Sequence, residues 1–163
     1  MQFGAEGLSE SLSRLIDQQV QELLVERPEL MAHRDTNAQI RRDFLLMHDT
    51  WTATEVADWA GSTSPNRHAI ASNWKAKGQI FSVRVDQVVR YPVFQFDMGR
   101  QKPYPEMKKI ISALSPTYRE WSLAIWFVTK NPWLERKAPL DLWPQQRKAV
   151  LAAAQSEQDT FDD

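Results

Sequence analysis

The side chains that could do chemistry gather in two stretches. The first is "SPNRHAIASNWKAK", residues 64–77. It offers Asn66, Arg67, His68, Ser72, Asn73, Lys75 and Lys77. Asn and Arg can bond base edges in pairs in a major groove, while Lys and Ser suit phosphate oxygens. The second is "WFVTKNPWLERKAPLDLW", residues 126–143, with three of the chain's seven tryptophans and two of its nine prolines. It holds no arrangement of nucleophile, acid and base. Its Trp126, Trp133 and Trp143 are large, stiff groups of the kind that dominate protein interfaces, and Pro132 and Pro139 limit the entropy lost on binding. The same residues could equally serve as a packed connector. Trp121, Ile125 and Leu142 are expected in the core, and Trp133 and Trp143 are divided between core and interface.

Catalysis has few candidates. The five glycines, at 4, 7, 61, 78 and 99, build no phosphate-cradling loop, and there is no nucleophile elbow. His33, His48 and His68 are scattered without metal-ligand spacing. Glu55 and Asp58 share one helix face and read as solvated. The expectation is no enzyme, no catalytic residue, no metal and no cofactor. The chain has no cysteine, so disulfides, thiolate-bound zinc and thiol catalysis are excluded, and a reducing cytoplasm is the simplest setting. No apolar run approaches the roughly 20 residues that span a bilayer, and the N-terminus does not read as a secretory signal.

Net charge is −1, but it is unevenly spread. Residues 1–63 carry 5 Lys/Arg against 11 Asp/Glu, residues 64–109 carry 9 against 3, and residues 110–163 carry 6 against 7. The middle third is a basic block, and phosphate backbones respond to local charge rather than to the net value. A negatively charged protein partner would respond in the same way.

The elements that must position these residues are mostly helical. Leu8, Leu12, Leu15, Ile16, Val20, Leu23 and Leu24 recur at helical spacing over 8–26, as a core or a homodimerisation helix, with Pro28 ending or kinking it. A second helix is expected over 37–48, with Ile40, Phe44, Leu45 and Met47 inward. Thr52 or Thr54 caps a helix that Gly61 stops, and Ser64–Pro65 starts another that runs to Lys77 before Gly78. Ile70 and Trp74 face the core. Alternation over "IFSVRVDQVVRYPVFQF" predicts a hairpin turning near Asp86–Gln87, with Arg84 and Arg90 on its strands and Pro92 placing the second strand at an edge or bulge. Helix, turn, helix and hairpin in that order make a helix-turn-helix with a wing. Residues 97–103 are the best boundary. Pro105 then opens a helix with Met107, Ile110, Ile111 and Leu114 on one face. Ser115–Pro116 starts a nearly all-apolar helix through 129, and Pro144 opens the last helix, with a frayed tail from 156.

The ordered combination over 104–155 resembles the C-terminal toxin-binding domain of the Xre/MbcA/ParS family of bacterial antitoxins. The matching residues are Asn131, Pro132 and Leu134, then Pro139, Asp141 and Leu142, preceded by a Trp/Leu-rich helix containing Trp121. Two departures stand out. The family often has Gly-Gly or similar in the turn, where this chain has Glu135–Arg136–Lys137. Family members also commonly carry an Xre-type helical DNA-binding domain in front. The resemblance implies a RES-domain toxin that consumes NAD as partner, its active site covered by the antitoxin, with operator DNA as a second partner of the front domain. It assigns toxin contact to Trp126, Asn131, Trp133, Leu134, Pro139 and Trp143.

The fold expected is therefore mostly α with one β-hairpin. Residues 1–35 form an amphipathic helix, 36–98 a winged-helix-like module, 104–156 a small helical toxin-binding domain, and 157–163 an acidic tail. DNA contact is expected from Asn66, Arg67, His68, Ser72, Asn73, Lys75, Lys77, Arg84 and Arg90. The alternative is a stand-alone DNA-binding regulator with a helical dimerisation or sensing domain.

Overall fold

The computed structural model describes residues 28–162, together with Arg14, a single helical residue. The helix expected over 8–26 otherwise lies outside the described residues. The chain divides into two compact units, 1–40 and 41–163. In the first, the described part is the leading portion of helix α1 (Pro28–Met47). Pro28 is the first residue of this helix, consistent with proline's tolerance of a first helical turn.

The second unit is mostly helical with a small antiparallel sheet. After the end of α1 come β1 (Thr50–Trp51), α2 (Ala53–Trp59), α3 (Ala69–Ala76), β2 (Val83–Val85) and β3 (Val88–Pro92). A short hairpin of β4 (Phe96–Asp97) and β5 (Lys102–Pro103) follows. Then come α4 (Pro105–Leu114), α5 (Trp121–Val128), the short α6 (Pro139–Leu142) and α7 (Arg147–Phe161).

Local rules explain the joints. The Thr52 hydroxyl accepts the Glu55 N–H and caps α2. Gly61 and Gly78 both have φ near +70° and close their helices in the same way. The Ser62 N–H reaches the Ala57 carbonyl and the Gln79 N–H reaches the Trp74 carbonyl, each over a glycine N–H bonded three residues back. Asp86 and Gln87, at φ +50° and +68°, form the two-residue turn between β2 and β3.

Several starts and ends differ from the sequence reading. Helix α3 begins at Ala69, not at Ser64–Pro65, because residues 62–68 form their own side-chain turns. Helix α5 begins at Trp121 and α7 at Arg147, so Pro116 and Pro144 lie in turns before them. Helix α7 continues to Phe161 where a frayed tail from 156 was expected. Met47 is 77% exposed, although helical spacing placed it inward beside the buried Phe44. Strand β3 is the centre of the order β1-β3-β2, not an edge.

Pro92 is accommodated there by a side chain. Extending the β2–β3 register past the Val83–Arg90 pair would set Phe81 opposite Pro92, which has no N–H to give. Gln95, fully buried, fills that role. Its Oε1 accepts the Phe81 N–H at 2.7 Å, and its Nε2 donates to the Phe81 and Pro92 carbonyls at 2.9 and 3.0 Å.

Two apolar clusters hold the unit. One centres on Phe96, which stacks on Trp51 at 5.6 Å and meets Trp59 and Trp74, over Val56, Ala71 and Ile80. Ile70 and Trp74 pack against it, as the sequence required. The other joins Met107, Ile110, Leu114, Phe127 and Val150 with Phe44, Phe81 and Val83 from the front of the chain. The segment 97–103, read as a boundary, is thus a hairpin inside one compact unit with a core continuous across it. Helix α4 packs along α7, and Arg147 both pairs with Glu106 at 3.2 Å and covers the Tyr104 ring.

Candidate functional site

The Trp–Pro stretch is a closed turn, and each residue of its motif has a local task. The Asn131 side chain accepts the Trp133 N–H at 2.9 Å, and its backbone bonds Leu134, Arg136 and Lys137. Pro132 opens a single 3-10 turn, Pro132–Leu134. Glu135 and Arg136 then sit at φ +55° and +64°. Pro139 opens α6, and the Asp141 carboxylate reaches back to accept the Ala138 N–H at 3.0 Å.

Burial separates scaffold from surface. Asn131, Leu134, Pro139, Trp126 and Trp143 are all buried, as is Trp121. Ile125 and Leu142 are half-buried. Of the six residues expected to touch a toxin, Trp133 alone is exposed, at 44%. The other indoles point inward to find acceptors. Trp121 Nε1 donates to the Arg84 carbonyl at 2.9 Å and Trp143 Nε1 to the Phe94 carbonyl at 2.8 Å, so both tie this half to the hairpin region. Trp126 Nε1 donates to Glu157 at 2.6 Å.

A groove of about 290 Å³ is lined among others by Tyr118, Ile125, Trp126, Lys130, Pro132 and Glu157. Burial pushes the Glu157 carboxyl above its ordinary range, and the Trp126 indole bond partly offsets this. Glu157 lies nearby and, with burial as the larger cause, raises the Tyr118 phenol. Residue type alone does not single out Glu157. Its signal was present: Val150, Ala153, Ala154 and Glu157 share one helical face, so the charge falls on the buried side of α7.

The basic module presents a second surface. On α3, Ser72, Asn73 and Lys75 are exposed, opposite buried Ala71 and half-buried Ile70 and Trp74, and Lys77 is exposed just past the helix end. Asn66, Arg67 and His68 precede the helix instead of riding on it. Arg67 pairs with Asp58 and also donates to the Ser62 and Ser64 carbonyls, so its guanidinium braces the 60–68 link. Asn66 accepts the His68 N–H. Arg84 is opposite Val89 and Arg90 opposite Val83, which sets the two arginines on opposite faces of the hairpin. Arg84 is exposed and Arg90 half-buried.

No cluster of three or more potential metal ligands occurs among the described residues, and none of their helices is long and apolar enough to cross a membrane. Compared with protein-family models, curated proteins and solved structures, the chain matches none of them significantly.

Proposed function

We propose that this chain is the antitoxin of a bacterial type II toxin–antitoxin pair, and that residues 104–156 bind and cover a RES-domain toxin that consumes NAD. The observation that carries the reading is the backbone of the 131–137 turn. The resemblance to the toxin-binding domain departs at Glu135–Arg136–Lys137, where the family often has Gly-Gly or similar in the turn. Glu135 and Arg136 both lie at positive φ, the region that glycine enters without steric cost. The departure is therefore one of residue type, and the turn retains a geometry suited to Gly-Gly. Asn131, Pro132, Leu134, Pro139 and Asp141 each support that turn or the helix after it.

In this reading the motif builds the domain, and the contact with the toxin falls on what the motif displays. Trp133, with Pro132 beside it, is the exposed anchor. The test is co-expression with a RES-domain toxin encoded beside the chain, with cellular NAD as readout. Trp133→Ala should weaken neutralisation by roughly 30-fold or more, as expected of an interface hot spot of about 2 kcal/mol. Full neutralisation by a folded Trp133→Ala protein would refute the anchor. Leu134 is unsuitable as a partner substitution, because at 6% exposure its loss opens the core.

The front module supports a second role, binding operator DNA to repress the pair's own operon. The observation favouring it is the order helix, strand, helix, helix, hairpin with strands arranged β1-β3-β2, which fits a helix-turn-helix with a wing, and the exposed Lys75 on α3 and Lys77 just past its end. The 60–68 link is longer than the tight turn of the simplest helix-turn-helix. Removing Lys75 and Lys77 should weaken DNA binding and lower its salt dependence. DNA binding that is insensitive to salt would refute this role and leave toxin binding standing. Salt-sensitive DNA binding without any protein partner would favour the stand-alone regulator.

A further inference from the structure

We infer that the groove lined by Trp126, Pro132 and Glu157 is a seat for an arginine side chain of the partner protein, with Glu157 receiving the guanidinium. Tyr118, Ile125, Trp126 and Pro132 line a largely apolar channel of about 290 Å³, suited to an alkyl stem. Glu157 also lines it, with one carboxylate oxygen held by Trp126 Nε1 at 2.6 Å. That bond orients the carboxylate and leaves its other oxygen to accept. Glu157 forms no ion pair among the described residues. Lys130 is the sole cation lining the groove, and it is exposed and makes no ion pair with Glu157.

A half-buried carboxylate in a groove lined by Tyr118 and Trp126 lacks one thing, a cation brought in from outside. Arginine suits it better than lysine. Its planar head is weakly hydrated, stacks on rings such as Tyr118 and Trp126, and can still bond a carboxylate edge-on. The toxin-binding reading supplies only the identity of the protein that carries this arginine; the groove's preference for a guanidinium stands on its lining residues.

The probe is n-butylguanidinium, with neutral n-butylurea as its isostere, titrated into the full chain while the Trp126 indole Nε1–H resonance is followed. A dissociation constant on the order of 10 mM is expected for so small a ligand. A saturable shift with the guanidinium, at least fivefold weaker with the urea and lost in Glu157→Gln, is the expected result. Gln keeps an acceptor for the indole, so the variant should retain the fold. No shift, an equal shift with the urea, or a shift that survives in folded Glu157→Gln would overturn the inference. The guanidinium-against-urea comparison needs no variant, so it decides the matter even if Glu157→Gln does not fold. Failed toxin neutralisation with intact probe binding would instead sink the antitoxin reading and leave the arginine seat in place.

Discussion

Gln95→Met should cost this protein a large share of its stability, although it swaps one long, unbranched side chain for another. Gln95 makes three hydrogen bonds, at 2.7, 2.9 and 3.0 Å, to the backbone of Phe81 and Pro92. Each is worth about 1 kcal/mol net, and a buried group left without a partner costs about 1–3 kcal/mol. Gln95 is at 0% exposure and Phe81 at 4%, so water cannot readily replace the amide. Among the described residues the Phe81 N–H has no other acceptor, and the Phe81 carbonyl no other donor. The sum is a loss of about 3–5 kcal/mol, against a total of roughly 5–15 kcal/mol for a domain of this kind. Urea unfolding followed by tryptophan fluorescence measures it. With a slope of about 1.5 kcal/mol/M the midpoint should fall by roughly 2–3 M. Gln95→Glu sharpens the test. It keeps an acceptor for Phe81 N–H but turns a donor toward two carbonyls into an anion. Its folded-state pKa would be raised, so its stability should be greatest below the unfolded carboxylate pKa and fall as pH rises. A loss below about 1 kcal/mol for Gln95→Met would refute the claim that this amide stands in for the missing proline N–H.

Other outcomes follow from the same structure. Glu135→Gly and Arg136→Gly should each leave stability unchanged or raise it by up to about 1 kcal/mol, since relief of left-handed strain of roughly 1–2 kcal/mol outweighs the added chain entropy of glycine; a clear loss in urea unfolding would count against the turn geometry. Leu134→Ala should cost about 2–5 kcal/mol while its neighbour Trp133→Ala changes stability far less, and equal losses would contradict the burial pattern. Glu157 has its folded pKa raised by burial, so its contribution to stability is fully present below the unfolded pKa and is lost as pH rises through the folded value. Glu157→Gln should therefore gain on the parent protein as pH goes from 4 to 7, and a gap between the two that stays constant over that window would show that burial does not act on this carboxylate.

Local signals were legible where the cause was local. Gly61 and Gly78 end helices as expected because left-handed closure is a property of a few consecutive residues. Thr52 caps α2, and Asp86–Gln87 turns the hairpin, for the same reason. Proline was a weaker guide. Pro105 and Pro139 open helices, whereas Pro65, Pro116 and Pro144 lie in turns ahead of them. The fixed φ of proline suits both settings, so surrounding contacts choose. Arg67 illustrates the same limit at the candidate DNA surface. Its type suggested base contact, and only folding brings Asp58 and two carbonyls against it.

Sequence by itself therefore determined the helical class, the hairpin, the basic middle third and the motif of the Trp–Pro turn. All of these depend on residue types within a few positions of one another. Only the tertiary structure decided which tryptophans are scaffold and which is surface. Trp121 and Trp143 find their indole acceptors on Arg84 and Phe94, 37 and 49 residues away along the chain. A buried indole N–H needs such a partner, and no local periodicity reveals a carbonyl at that separation. The groove at Glu157 has the same origin. Its walls come from the turn before α5, α5 itself, residues 129–132 and α7, and the carboxylate meets Trp126 across 31 residues.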